Sequence, residues 1–231
     1  MSYTYLEENL RLVQQKISVA AELSGRDKKD VLLMPAVKYA NAEEINYLHQ
    51  NLGVNDIGEN RVQQLLEHWG KIDRDGLNVH FIGSLQTNKV KYIIDKVCLI
   101  HSLDSERLAQ EIDKQAKKHG IVMRVLLEIN SGGEESKGGV SFEQAEQMCV
   151  ELEKYENINF CGFMTMAPKC EDKNQYHEYF SKTRKVCEHI WYDKLKRQEK
   201  PILSMGMSDS YEIAIAEGST LVRVGGALFK K

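Results

Sequence analysis

Lys38 stands where a buried apolar run stops. It follows Val31-Leu32-Leu33-Met34-Pro35-Ala36-Val37 and precedes a helical pattern that begins near Asn41. A desolvated ammonium gives up its proton more readily than a hydrated one. A lysine held at the end of a buried strand is therefore a usable amine nucleophile, suited to Schiff-base formation. The ordinary reading is a lysine that snorkels out of a strand end, and taken alone the position favours it. A second constellation shifts that balance. Ser204-Met205-Gly206-Met207-Ser208 follows the seventh apolar run, and Arg223-Val224-Gly225-Gly226 closes the eighth. Hydroxyls and small residues at a helix N-terminus offer backbone N–H groups to an anion. One such loop is explained by glycines turning the chain; two in adjacent units point to a phosphate.

Further polar groups fall at the ends of other apolar runs. They are Gly58-Glu59-Asn60-Arg61, His80-Phe81-Ile82-Gly83-Ser84-Leu85-Gln86, Asn130, and Met164-Thr165-Met166. Each also reads as a helix cap or a satisfied core group, and His80, inside a run, reads as structural. No paired carboxylates, metal-ligand spacing or Ser/His/Asp grouping stands out along the chain.

The elements that must position these residues alternate regularly. Apolar, β-rich runs occur at 31–37, 54–57, 79–82, 97–100, 122–129, 158–164, 202–204 and 220–224. Helical periodicity occupies 41–52, 61–69, 88–95, 105–119, 142–154, 175–195 and 209–217, after an amphipathic first helix from Tyr5 to about Leu23. Ser141 with Gln144 three residues later forms a capping-box pattern. Such βαβα alternation implies a parallel sheet with crossover helices, and strands apolar at nearly every position are buried on both faces. An open doubly wound sheet would need fewer strands at this length. Eight units favour closure into one (β/α)8 barrel of the TIM type, with an extra N-terminal helix, spanning 1–231 as a single domain.

Composition narrows the function classes. A formal net charge of −3 with mixed signs gives no footprint for nucleic acid and no polybasic segment for a membrane surface. The N-terminal residues lack the basic flank and apolar stretch of a signal peptide. Five dispersed cysteines, an odd number without a CxxC pair, read as reduced thiols of a cytoplasmic protein.

The motifs, taken in order, resemble the pyridoxal phosphate homeostasis protein family. They are Lys38-Tyr39-Ala40-Asn41-Ala42-Glu43-Glu44-Ile45, Gly58-Glu59-Asn60-Arg61-Val62-Gln63 and His80 through Lys89. Further along come Gly133 through Val140, Gly162-Phe163-Met164-Thr165-Met166-Ala167-Pro168, Leu203 through Asp209, and Glu217 through Gly225. The matches run over nearly the whole chain; Val37 departs from the serine usual before the lysine. The resemblance implies the barrel of the alanine racemase N-terminal domain (pyridoxal phosphate fold type III) without its β domain. It also implies pyridoxal 5'-phosphate as cofactor, with Lys38 as the Schiff-base lysine. By the same resemblance Ser204, Ser208, Gly225 and Gly226 cradle the phosphate, Arg223 faces the pyridine nitrogen, and Asn60 and Met205 line the ring pocket.

The implied function is a carrier or buffer of the cofactor without catalytic turnover, with apoenzymes that depend on pyridoxal phosphate as its acceptors. An arginine at the ring nitrogen keeps that nitrogen unprotonated, and an unprotonated ring is a poor electron sink. Two alternatives stand beside this reading. An amino-acid racemase needs a second acid/base on the opposite cofactor face. In alanine racemase the partner subunit's added β domain supplies it, and this chain is expected to end directly after the eighth strand. A Schiff-base-forming sugar-phosphate barrel enzyme is the other alternative. Lack of a β domain favours a monomer over a dimer.

Overall fold

A computed structural model describes residues 3–134 and 138–231. Residues 135–137, inside the Gly133 to Val140 motif, and the first two residues of the N-terminus lie outside the described residues. All eight expected strands form: β1 (Leu32–Pro35), β2 (Asp56–Glu59), β3 (Asn78–Phe81), β4 (Leu99–Leu103), β5 (Met123–Ile129), β6 (Ile158–Thr165), β7 (Ile202–Ser204) and β8 (Leu221–Val224). They pair in parallel in the order β1-β8-β7-β6-β5-β4-β3-β2. The two ends meet just beyond β1, where Ala36 bridges Gly58 and the Val37 N–H donates to the Gly58 carbonyl at 3.0 Å. That contact closes the barrel.

Alternate residues of each strand face opposite ways, and the apolar ones sort into two layers. Ile57, Phe81, Ile100, Leu127, Phe163 and Val222 join the large cluster between strands and helices. Inside the barrel lie smaller clusters, Met34, Ala36, Ile82 and Leu221 in one, Leu99, Leu126 and Met164 in the other. Arg223, Ser204, Glu128, His101 and His80 are buried polar residues on the strands, which matters for the site.

The helices are α1 (Thr4–Leu23), α2 (Ala42–Gln50), α3 (Val62–Trp69), α4 (Val90–Ile93), α5 (Glu106–His119), α6 (Phe142–Leu152), α7 (Asn174–Glu188), α8 (Tyr211–Ala216) and α9 (Gly226–Phe229). Leu6, Leu10, Val13, Ile17 and Ala21 form the buried stripe of α1. Each fully buried Leu or Ile there contributes about 1.5–3 kcal/mol. The Asn9 amide donates to the Leu228 and Lys230 carbonyls, tying the end of the chain to α1. The capping box at Ser141 forms with Gln144 as expected.

Several boundaries differ from the periodicity. β4 runs on to Leu103 because His101 and Ser102, polar residues that end the apolar run, are themselves buried. The helix expected over 88–95 is a 3-10 turn, Thr87–Lys89, followed by the short α4. The helix expected over 175–195 ends at Glu188 and passes into a π-type turn, His189–Lys194. Trp191 in that turn packs edge-on against Phe160, with ring centroids 5.4 Å apart. The chain does not end directly after β8: the turn at Gly225 starts α9, whose Leu228 is fully buried. No helix among the described residues is long and apolar enough to cross a membrane.

Candidate functional site

Two adjoining cavities open at the C-terminal ends of the strands, where barrel sites form. The smaller, about 300 Å³, is lined by Lys38, Asn60, Ser208, Arg223, Gly225 and Gly226, with Tyr39, Ile82, Met166 and Met207 among the others. The larger, about 500 Å³, shares Lys38, Tyr39, Asn60, Ile82 and Met166 and adds Arg61, Gln64, Ser84 and Glu128. Six of the eight residues singled out from the sequence therefore meet at one cavity.

The backbone beneath Lys38 is fixed on both sides. The Ala36 N–H donates to the Val224 carbonyl at 2.9 Å, and the Ala40 N–H donates to the Val37 carbonyl at 2.9 Å. The Lys38 side chain is a different matter. It is exposed, with its ammonium 4.7 Å from the centre of the Tyr39 ring. The desolvation expected of a lysine at a strand end is not what the fold provides, because Lys38 sits in the loop beyond β1, at the rim of an open cavity.

Two further expectations need correction. Ser204 does not face the cavity. As an inward residue of β7 it is fully buried, its Oγ accepting from Arg223 Nη1 at 2.7 Å and lying 3.0 Å from His101 Nδ1. Met205, next along the chain, points the opposite way into the outer layer and is 1 % exposed. Met166 and Met207 supply the methionine side chains at the cavity instead.

Arg223 is the fixed cation of the site. Its Nη1 also donates to the Ser204 carbonyl at 2.6 Å, and its Nη2 donates to the Thr165 carbonyl at 2.9 Å. Burial pushes its pKa down to about 10, with Glu128 acting the other way, so it stays charged. Glu128, inward on β5, is pushed up to about 7 by burial and by Asp104, against the pull of Arg223. No carboxylate pair was evident along the chain. The fold nonetheless brings these two together: a Cβ on Gly138 would lie 3.5 Å from Asp104 Oδ2 and 3.6 Å from Glu128 Oε2. Glu128 had one sequence signal, a carboxylate two residues from Leu126 and four from Arg124, on the same face of β5.

Asn60 and the loops after β7 and β8 complete the geometry. Gly83 lets the next strand end close on Asn60, since a Cβ there would sit 1.9 Å from the Asn60 carbonyl oxygen. Asn60 Oδ1 is buried without a hydrogen-bond partner. The Ala227 N–H donates to Ser208 Oγ at 3.3 Å, and a Cβ on Gly226 would lie 3.7 Å from the same oxygen. Ser208 and the Gly225-Gly226 turn thus converge on one side of the smaller cavity.

The chain resembles known proteins over nearly its whole length. The family model described as "Alanine racemase, N-terminal domain" matches residues 2–231. A pyridoxal phosphate homeostasis protein from Aquifex aeolicus is 43 % identical over 96 % of both chains. One from Escherichia coli is 31 % identical over 97 % of this chain and 95 % of its own. Among solved structures, an unknown protein from Bifidobacterium adolescentis superposes with TM-score 0.90 at 32 % identity, covering 98 % of this chain and 95 % of its own. PipY of Synechococcus elongatus, with pyridoxal phosphate bound, does so with TM-score 0.80 at 27 % identity, covering 92 % and 99 %. An alanine racemase from Clostridium difficile shares the fold at TM-score 0.73 and 20 % identity, with 56 % of its own length covered. The chain belongs to the alanine racemase N-terminal domain family and, within it, to the pyridoxal phosphate homeostasis proteins.

Proposed function

We propose that this chain binds pyridoxal 5'-phosphate, holds it covalently through the Lys38 amine, and carries or buffers it without catalytic turnover. The observation that carries this reading is the convergence of Lys38, Asn60, Arg223, Ser208 and the Gly225-Gly226 turn on one cavity. The residues present fit the group. Asn60 Oδ1 is a buried acceptor without a partner inside the site, and Gly226 leaves open the space beside Ser208 Oγ that a side chain would fill.

When bound, pyridoxal phosphate supplies an aldehyde that a lysine amine can hold, and a ring that accepts negative charge well only when its nitrogen is protonated. Each protein group then has a separable task. Lys38 supplies the amine from an anchored backbone. Ser208 and the N–H groups after Gly225 face the phosphate end. Asn60, Ile82, Met166 and Met207 bound the ring. Arg223 has spent three hydrogen bonds on Ser204 and Thr165, which leaves Nε–H and one Nη2–H of its five donors. A cation that only donates keeps a facing nitrogen unprotonated, and this supports a holding role over carbanion chemistry. Ser204 and Met205 act one step removed, from behind the cavity wall.

In this reading 1–231 is one barrel domain, monomeric and cytoplasmic, consistent with dispersed cysteines and no paired spacing. Apoenzymes that depend on pyridoxal phosphate are its acceptors. The decisive experiment compares visible absorption of the loaded protein and of Lys38→Ala, before and after borohydride. Colour that reduction bleaches, with the label recovered on Lys38, is the expected result. A chain that stays colourless after incubation with pyridoxal phosphate overturns the reading. Racemisation of an amino acid, abolished by Lys38→Ala, overturns the absence of turnover.

A further inference from the structure

A column of polar side chains runs through the barrel beneath the cavity. Arg223 Nη1 donates to Ser204 Oγ at 2.7 Å, and Ser204 Oγ lies 3.0 Å from His101 Nδ1. His101 Nε2 lies 3.0 Å from His80 Nδ1, and His80 Nε2 lies 3.0 Å from Asp56 Oδ1. Asp56 opens β2 and so stands at the floor of the barrel, opposite the cavity, where it also accepts from Asn78 at 3.1 Å. Five strands contribute one member each: β8, β7, β4, β3 and β2.

The hydrogen-bonding capacities fix the direction of this chain. A guanidinium can only donate and a carboxylate can only accept. Ser204 Oγ accepts a hydrogen bond from Arg223 and, being fully buried, must donate its own hydroxyl hydrogen to an acceptor, which is His101 Nδ1. A nitrogen that accepts carries no hydrogen, so the His101 proton sits on Nε2 and is donated to His80 Nδ1. The same step places the His80 proton on Nε2, donated to Asp56. Burial above all holds the His101 imidazole well below its usual range, in keeping with a neutral ring. The opposite direction would leave the hydroxyl hydrogen of the buried Ser204 without one of its protein acceptors, at the cost of an unmade buried hydrogen bond.

We propose that His101, His80 and Asp56 form a one-directional relay that positions Arg223 through Ser204, joining the barrel floor to the cofactor cavity. The role at the cavity rests on reading Arg223 as the group that meets the ring of pyridoxal phosphate. The direction of the relay does not rest on it.

Long-range 1H–15N spectra of the unloaded protein carrying 15N-histidine test the direction. His80 and His101 resonances are assigned by their loss in His80→Gln and His101→Gln. Each ring is expected to carry a hydrogen on Nε2 and to accept on Nδ1. Adding pyridoxal phosphate to the wild type should move the His101 signals without switching the tautomer. Ser204→Ala should shift the His101 Nδ1 resonance and weaken pyridoxal phosphate retention about tenfold while the bond to Lys38 still forms. A proton on His101 Nδ1, a doubly protonated ring, His101 signals indifferent to loading, or wild-type affinity in Ser204→Ala would overturn the relay. If Ser204→Ala does not fold, the wild-type tautomers decide the matter alone. If wild type fails to take up pyridoxal phosphate at Lys38, the function reading falls and the tautomers still decide the relay's direction.

Discussion

Glu128→Gln should make the unloaded protein more stable than wild type above neutral pH and leave the two alike in mild acid. Glu128 is 5 % exposed, and burial followed by Asp104 raises its pKa from 4.5 to about 7, Arg223 opposing. An acid whose pKa is higher folded than unfolded holds its proton more firmly in the native state. Between those two values the native state binds more protons, so stability falls as pH rises from about 4.5 to about 7 and then levels off. The gap of 7 − 4.5 = 2.5 units, at about 1.36 kcal/mol per unit, makes the full loss about 3 kcal/mol. Gln matches the shape of the protonated carboxyl and cannot ionise, so it escapes that loss. Urea unfolding of both proteins at pH 5 and pH 8 measures the difference and cancels every titration they share. The reasoning is refuted if the wild-type and variant curves keep the same separation at both pH values.

Other consequences are as specific. Gly83→Ala places a methyl 1.9 Å from the Asn60 carbonyl oxygen, a backbone clash that should cost about 1–3 kcal/mol and weaken pyridoxal phosphate binding through Asn60, read by thermal unfolding and by titration. Ser141→Ala removes one half of a capping box and should cost about 1 kcal/mol in urea unfolding, with cofactor binding unchanged because α6 stands away from the cavity. Leu10→Ala cuts the buried stripe of α1 and should cost about 2–5 kcal/mol in the same measurement; a smaller loss would mean that α1 is only loosely docked.

The eight strands were legible because parallel strands buried on both faces are written as short apolar runs, one per unit. Lys38, Ser208, Gly225 and Gly226 were legible because they stand where those runs stop. Periodicity lost the thread where polar residues continued a strand: β4 carries His101 and Ser102 past the end of its apolar run because both are buried. It also left facing ambiguous at strand ends. Ser204 and Met205 are neighbours on opposite faces, and only the completed barrel shows which of them turns toward the axis. Asp104 with Glu128, and Asp56 with His80, His101 and Ser204, come from separate strands or loops far apart in sequence. No local pattern announces a grouping that exists only after closure.

The same division separates fixed from adjustable parts of the site. Glu128 on β5 and Arg223 on β8 are held by strand pairing and, for Arg223, by three side-chain bonds, and Asn60 stands just beyond β2. Lys38, Tyr39, Met207 and Ser208 stand on loops, and the first three are exposed. The lysine combines both characters, with backbone pinned between β8 and β2 and a side chain free to turn. A protein that must take hold of an aldehyde and later surrender it needs this arrangement. On the proposed function the strand-borne groups would set where the ring lies, whereas an amine at an open rim would stay within reach of solvent and of a second amine. A catalyst that kept its cofactor through many turnovers would gain instead from enclosing the lysine. On the proposed function, the exposure of Lys38 suits a carrier, whose amine must give the aldehyde up as well as take it.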